Sequence, residues 1–351
     1  MFSVSNFLTR FILLLCLLQV SACSSLSYLF HTSSGHLQVM SQRQSIEALI
    51  EDDATESDDK KALQDVLRIR EFASHELSLP NNKSYTSYVA LNRDYVTWAV
   101  FAAEPYSLQA KTWCFIVVGC VPYRGYFSHQ KALDFSLQLQ QQGYETYVGP
   151  VPAYSTLGWF SDPVLSSMLN HGQVATAEYI FHELAHQQLY IKNDPSFNEA
   201  FATAVGQLGV SRWLIAEGKQ NTLENYIDLN DNKIEIYEII GNLRKQLTDI
   251  YLSDDISFKQ THKEKALKTY HRVMTEKLNS WGRYDQYKKW LLEDINNAKL
   301  NAFSTYRKLV PQFLALYERC GNSLNKFYST IDNMKALDKQ QRLEQLKNGQ
   351  C

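Results

Sequence analysis

Apolar residues recur at helical spacing between Ala175 and Tyr190, through Ile180, Phe181, Leu184, Ala185 and Leu189, with no Gly or Pro in the run. That periodicity predicts a helix. Asp194 before Pro195 reads as an N-cap followed by proline at the first helical position. A second helix is therefore expected after a short turn around residues 192–195. Alanines at 200, 202 and 204 would let it approach the first one closely. Further on, Ile236, Ile240, Leu243, Leu247 and Ile250 follow a three-four spacing, which predicts a long amphipathic helix. Helical patterns continue near Ile256 to Leu278, over Tyr284 to Leu309 and over Phe313 to Tyr317, with Pro311 as a kink or break. The tail after Leu337 is charged and poor in large apolar residues.

The earlier part of the chain is mixed. Gln38 to Glu51 and Lys61 to Leu77 read as helices around an acidic, solvated loop from Glu51 to Asp59. Tyr95 to Phe101, Phe115 to Val118 and Tyr144 to Val148 are β-rich and aromatic. His129 to Gln142 between them reads as a helix closed by Gly143, and Asp162-Pro163 as the start of another. The expected fold class is α+β and mostly α-helical. A small mixed β-sheet would precede the helix at 175–190 and lie beside it, followed by a helical C-terminal region. There is no internal repeat and no low-complexity segment.

Composition changes this picture little. A chain of 351 residues can bury a large core, and a formal net charge of −2 offers no electrostatic case for nucleic acid. The N-terminus says more. Arg10 ends a short basic region, and Phe11 to Val20 is an apolar run too short for an ordinary spanning helix. Val20-Ser21-Ala22-Cys23 looks like a bacterial lipobox, with Val20 where Leu is more usual. Residues 1–22 are thus expected to be a lipoprotein signal peptide, with Cys23 lipidated. Residues 23–36 would be a tether and 37–351 the folded domain. Ser24 stands where Asp would favour inner-membrane retention, and resemblance to Gram-negative lipoproteins then implies the outer membrane, facing the periplasm. An ordinary secretory signal is the alternative. Of 6 cysteines, Cys16 is lost with the signal. Cys114, Cys120, Cys320 and Cys351 remain, and no C-x-x-C spacing suggests a metal site. Cys114 and Cys120 are close enough for a local bridge, and Cys320 and Cys351 could then tie down the C-terminus, as an oxidising periplasm allows.

The helix at 175–190 contains His182-Glu183-Leu184-Ala185-His186, an H-E-x-x-H motif. Residues four apart share a helix face, so the two imidazoles can meet at one point and supply half of a tetrahedral Zn²⁺ shell. Glu183, one step round, can take a proton from a metal-activated water. Glu199, in the second turn of the next helix, is the third candidate ligand, giving the His₂Glu set of catalytic zinc sites with water in the fourth position. Tyr154 is a candidate oxyanion donor or a packing residue. Glu178 could orient a ligand histidine, line the cleft, or stand in solvent. A fourth protein ligand, for example His171 or Cys120, would instead close the shell and make the metal structural.

With Asn198-Glu199-Ala200-Phe201-Ala202 following it, this motif resembles the gluzincin metallopeptidases, which have a zincin-like fold. More closely, the chain resembles a family of bacterial lipoproteins described as predicted aminopeptidases. Trp113-Cys114-Phe115, Gly119 to Phe127, Ala153 to Phe160 and Asn296-Asn297-Ala298 with Tyr306 carry that likeness. The resemblance implies peptide substrates, Zn²⁺, and Tyr306 as a second candidate oxyanion donor. In one respect the chain departs from the better-known gluzincins. They often carry an acidic residue shortly after the ligand Glu to support a ligand histidine, and here Ala202 and Thr203 stand in its place. The alternatives are a non-catalytic envelope lipoprotein, with structural zinc or a peptide-binding cleft, and an amidase acting on cell-wall peptides.

Overall fold

The computed structural model describes residues 28–115, 119–307 and 309–351. The signal segment and Cys23 lie outside the described residues. The chain is mostly helical with small sheets, an α+β fold. In order it runs through α1 (residues 28–41), β1 (Gln44–Ser45), α2 (Ile46–Glu51), α3 (Ser57–His75), β2 (Ser87–Val89), β3 (Thr97–Ala103), β4 (Trp113–Phe115), β5 (Gly119–Val121) and β6 (Tyr123–Tyr126). There follow α4 (His129–Gln141), β7 (Glu145–Val151), β8 (Val164–Leu165), α5 (Ser166–Leu169), α6 (Gln173–Gln188) and α7 (Pro195–Ala216). The C-terminal part is α8 (Gln220–Tyr251), α9 (Ile256–Ser280), α10 (Tyr284–Leu291), α11 (Asn297–Arg307), α12 (Val310–Arg319), α13 (Leu324–Asn333) and α14 (Lys339–Asn348).

The described strands form three sheets where one mixed sheet was expected. An antiparallel sheet has the order β6-β3-β7, and β4-β5 is an antiparallel hairpin closed by the Cys114–Cys120 disulfide. Only the sheet β1-β2-β8 is mixed, with β1 antiparallel and β8 parallel to β2. The central strand β3 is buried from Ala99 to Ala103 without alternation, because both of its faces are covered. Val100 and Ala102 pack with Ala132 and Leu139 of α4, whereas Ala99 and Phe101 pack with Ala298 and Ala302 of α11.

The long helices behave as their periodicity predicts. Ile236, Ile240, Leu243, Leu247 and Ile250 of α8 are buried against Ala266, Tyr270, Met274 and Leu278 of α9. Asn296 and Asn297 dock this helical part onto the sheet region. Asn296 Nδ2 donates to Thr146 O at 2.9 Å, and Asn297 Nδ2 to the carbonyls of Glu104 and Pro105, each at 2.9 Å. Pro311 breaks the helix outright and stands in the first turn of α12.

Three local expectations are corrected. The helix expected over Gln38 to Glu51 is two helices, because Gln44 and Ser45 pair with Tyr88 and Ser87 and Ser45 then caps α2. The described part of the expected tether, residues 28–36, is helical and packed. Gly35 lies so close to Phe127 that a Cβ would fall 2.5 Å from its ring, and the Arg124 guanidinium sits 3.7 Å over the Tyr28 ring. Asp162 starts no helix. It is buried and accepts from Thr156 Oγ1 at 2.8 Å and Thr156 N at 3.0 Å, while the chain continues as β8.

Candidate metal centre

The turn between α6 and α7 brings the three expected ligands together. His182 Nε2 and His186 Nε2 are 3.1 Å apart, and Glu199 Oε2 lies 3.4 Å from the first and 3.6 Å from the second. A four-coordinate ion with bonds of about 2.0–2.1 Å separates its ligand atoms by roughly 3.3–3.4 Å. The triangle has that size, and the three residues could hold a metal ion. Among the described residues no further His, Cys, Asp or Glu joins them. Cys120 is bonded to Cys114, and His171 stands edge-on to the Tyr179 ring. His186 is the most enclosed of the three at 7% side-chain exposure, against 20% for His182 and 14% for Glu199. The site is therefore reached from the His182 side.

Local chemistry holds this hairpin in register. Asn198, buried next to Glu199, accepts from Ile191 N and donates to Ile191 O, both at 2.8 Å. Its two bonds clamp the turn to the first coil of α7. Asn193 adopts φ 66°, and its Oδ1 accepts from Cys120 N at 2.9 Å, so the disulfide hairpin leans on the same turn. Asp194 makes no side-chain cap. Its Oδ2 instead accepts from Arg342 Nε at 3.1 Å and Nη2 at 3.0 Å, a buried pair that ties α14 to the start of α7. The close approach of the helices is set by Gly206 and Gly209. A Cβ on Gly209 would fall 2.6 Å from Phe181 Cδ2 and 2.7 Å from Leu77 Cδ1. On the other side, Gln187 Nε2 donates to Ser84 Oγ at 3.2 Å and Asp162 Oδ2 at 3.4 Å, fastening two loops to α6.

The field in the site is strongly shaped. Burial opposes ionisation of Glu199, yet the His186 charge and hydrogen bonds from both histidines outweigh it and hold the carboxyl down at about 2. Burial likewise disfavours the charged form of His186, but Glu199 and Glu183 overcome this and raise its pKa. Glu183 is pushed up by burial, against the pull of His182 and His186. The buried Nδ1 of His186 has no hydrogen-bond partner among the described residues, so Thr203 does not replace the acidic support.

Of the expected oxyanion donors, Tyr154 has its hydroxyl 2.9 Å from His36 Nδ1, and the charges acting on it come from Asp162, Arg43 and Arg93. Tyr306 falls within α11, and its side chain lies outside the described residues. Glu178 lies along α7, with its carbonyl 3.3 Å from where a Gly206 Cβ would stand. Two tyrosines that periodicity did not single out are coupled to the site. The Tyr123 phenol is pushed up by burial, then by Glu199, Tyr190 and Glu183. Tyr85, buried and at φ 64°, is pushed up by burial and then by Glu183. A positive φ on a bulky residue is strained, and at Tyr85 that strain sits beside the candidate base.

A family model described as "Putative aminopeptidase" matches residues 27–346. No curated protein and no solved structure matches the chain. The match runs through both ligand helices, the sheets that flank them and the α14 brace, and by it the chain belongs to the putative aminopeptidase family.

Proposed function

We propose that this protein is a zinc-dependent aminopeptidase of zincin-like architecture, anchored by lipid in a bacterial envelope. The observation that carries the reading is a group of three convergent ligands beside a buried carboxylate, with no fourth described side chain in the group. Open shells of this kind are catalytic, whereas structural zinc is enclosed by four protein ligands. His182, His186 and Glu199 would hold Zn²⁺, which when bound supplies Lewis acidity to a substrate carbonyl and to a water.

Glu183 is the general base. Burial raises its pKa toward the range where a carboxylate both accepts and returns a proton. It takes the proton of the attacking water and delivers it to the leaving amine. The Tyr123 phenol, protonated at neutral pH like any tyrosine, is pushed further up by burial and the neighbouring carboxylates. It is the donor we assign to the carbonyl oxygen as that atom gains charge. The family description supports exo action. The disulfides Cys114–Cys120 and Cys320–Cys351 fit export to an oxidising compartment.

Metal stripping and reconstitution test this. Chelation should abolish hydrolysis, and Zn²⁺ should restore it to wild type but not to His186→Ala, which should retain no stoichiometric metal. Full zinc occupancy in His186→Ala would remove the ligand assignment.

A further inference from the structure

Five large apolar side chains face solvent on one side of the molecule. Leu29, Phe30 and Leu37 on α1 are 52, 76 and 63% exposed, and Trp159 and Phe160 in the loop after Tyr154 are 71 and 52% exposed. Positions 30 and 37 lie two helical turns apart on one face, and 29 is adjacent to it. No Asp, Glu, Lys or Arg occurs from Tyr28 to Ser41. A water-facing helix surface normally carries charge, and this one carries serine, leucine and phenylalanine. Helix and loop form one surface. The Phe160 and His36 rings are 5.0 Å apart, and Arg43 Nη1 donates to Ser161 O at 3.1 Å.

What covers this face follows from the chain that precedes it. Cys23 stands five residues before Tyr28. At about 3.3–3.6 Å per residue, five residues reach at most about 18 Å. A bilayer holding an acyl group on Cys23 is therefore close to the start of α1. No described helix is long and apolar enough to cross a membrane. We propose that this face docks on the phospholipid bilayer, with α1 along the headgroup boundary and Trp159 and Phe160 inserted beside it. The proposal rests on the lipid-anchor reading. Indole rings favour this boundary because they are apolar with one polar edge. The same loop reaches the ligand helix, since Gly158 lies against Gln187, the neighbour of His186. Docking would thus fix the orientation of the metal centre relative to the membrane.

The test uses the full lipidated chain on phosphatidylethanolamine–phosphatidylglycerol vesicles, a fraction of whose lipids are brominated near the headgroup end of the acyl chain. Flotation reports anchoring. The difference in tryptophan emission between wild type and Trp159→Phe isolates Trp159, and its exposure makes that variant safe for folding. The proposal expects flotation, with bromine cutting the Trp159 component by roughly half or more. Flotation with Trp159 unquenched and open to aqueous acrylamide overturns the docking face, leaves the anchor standing and points to a protein partner. A chain that neither floats nor shows quenching overturns both readings.

Discussion

Glu199 and His186 give the metal-free protein a distinctive response to pH. The Glu199 pKa falls from 4.5 to about 2 in the fold, so its contribution is present above pH 4.5 and is lost as pH falls toward 2. The His186 pKa is raised above 6.5, so its contribution is present below pH 6.5 and is lost as pH rises through the raised value. The pair therefore stabilises most between pH 4.5 and 6.5. Denaturant unfolding of metal-stripped wild type and Glu199→Gln should differ most in that window, on the order of 2–3 kcal/mol, and less on either side. Taking the difference cancels the opposite contribution of buried Asp162, on which Glu199 has no influence. A difference independent of pH would contradict the pairing. At this scale the convergence of His182, His186 and Glu199 was legible, because helical spacing alone places His182 over His186 and the Asp194-Pro195 start places Glu199. Tyr123 was not. It reaches the carboxylates through a strand register, Tyr123 opposite Phe101, which no local pattern specifies. Tyr154 was singled out from a loop, and its hydroxyl meets His36 on the packed α1.

The α6–α7 hairpin depends on residues that carry no side-chain chemistry. Gly209 sits where even a methyl group would meet Phe181 and Leu77. In an exposed helix, Gly→Ala stabilises by about 1 kcal/mol. Here the sign should reverse, and Gly209→Ala should destabilise by about 1–3 kcal/mol in chemical denaturation, the usual cost of overpacking. A stabilised variant would show that the helices can move apart freely. The need for small residues was readable from Ala200, Ala202 and Ala204, and all three are buried. Which positions set the closest approach was not, since that depends on how Leu77 of the preceding chain lies across the helices. The cap signature at Asp194-Pro195 marks the true start of α7, whereas the one at Asp162-Pro163 misled, since no helix begins there. Asp194 and Asp162 both precede proline, yet each spends its carboxylate on distant groups, Arg342 in one case and the Thr156 loop with Gln187 in the other.

Across the whole molecule, the C-terminal helix braces the candidate metal centre. Arg342 is buried against Asp194, donates to Leu337 O at 2.9 Å and stacks over Phe197, while Cys320–Cys351 secures the end of the chain. Removing the guanidinium takes both of its hydrogen bonds from a buried carboxylate, so Arg342→Ala should cost about 3–5 kcal/mol. Lys339, 63% exposed and 3.8 Å from the same Asp194, should cost less than about 1 kcal/mol when changed to Ala. Equal losses in thermal unfolding would refute the brace. The charged tail gave no sign of this role, because its one buried cation is matched by an acid far back in the chain. The three sheets were illegible for a similar reason. Strands as short as Val164–Leu165 are defined by their partner, here β2, and not by their own sequence. The helical architecture was legible because its periodicity is local. The central claim is that this scaffold hydrolyses peptides with Glu183 as base, and the most direct measurement is mass spectrometry of a mixed peptide library incubated with zinc-loaded wild type and Glu183→Gln. The account predicts loss of single N-terminal residues with wild type and none with the variant, at equal zinc content. Cleavage by Glu183→Gln at the wild-type rate, or none by either protein, would contradict it.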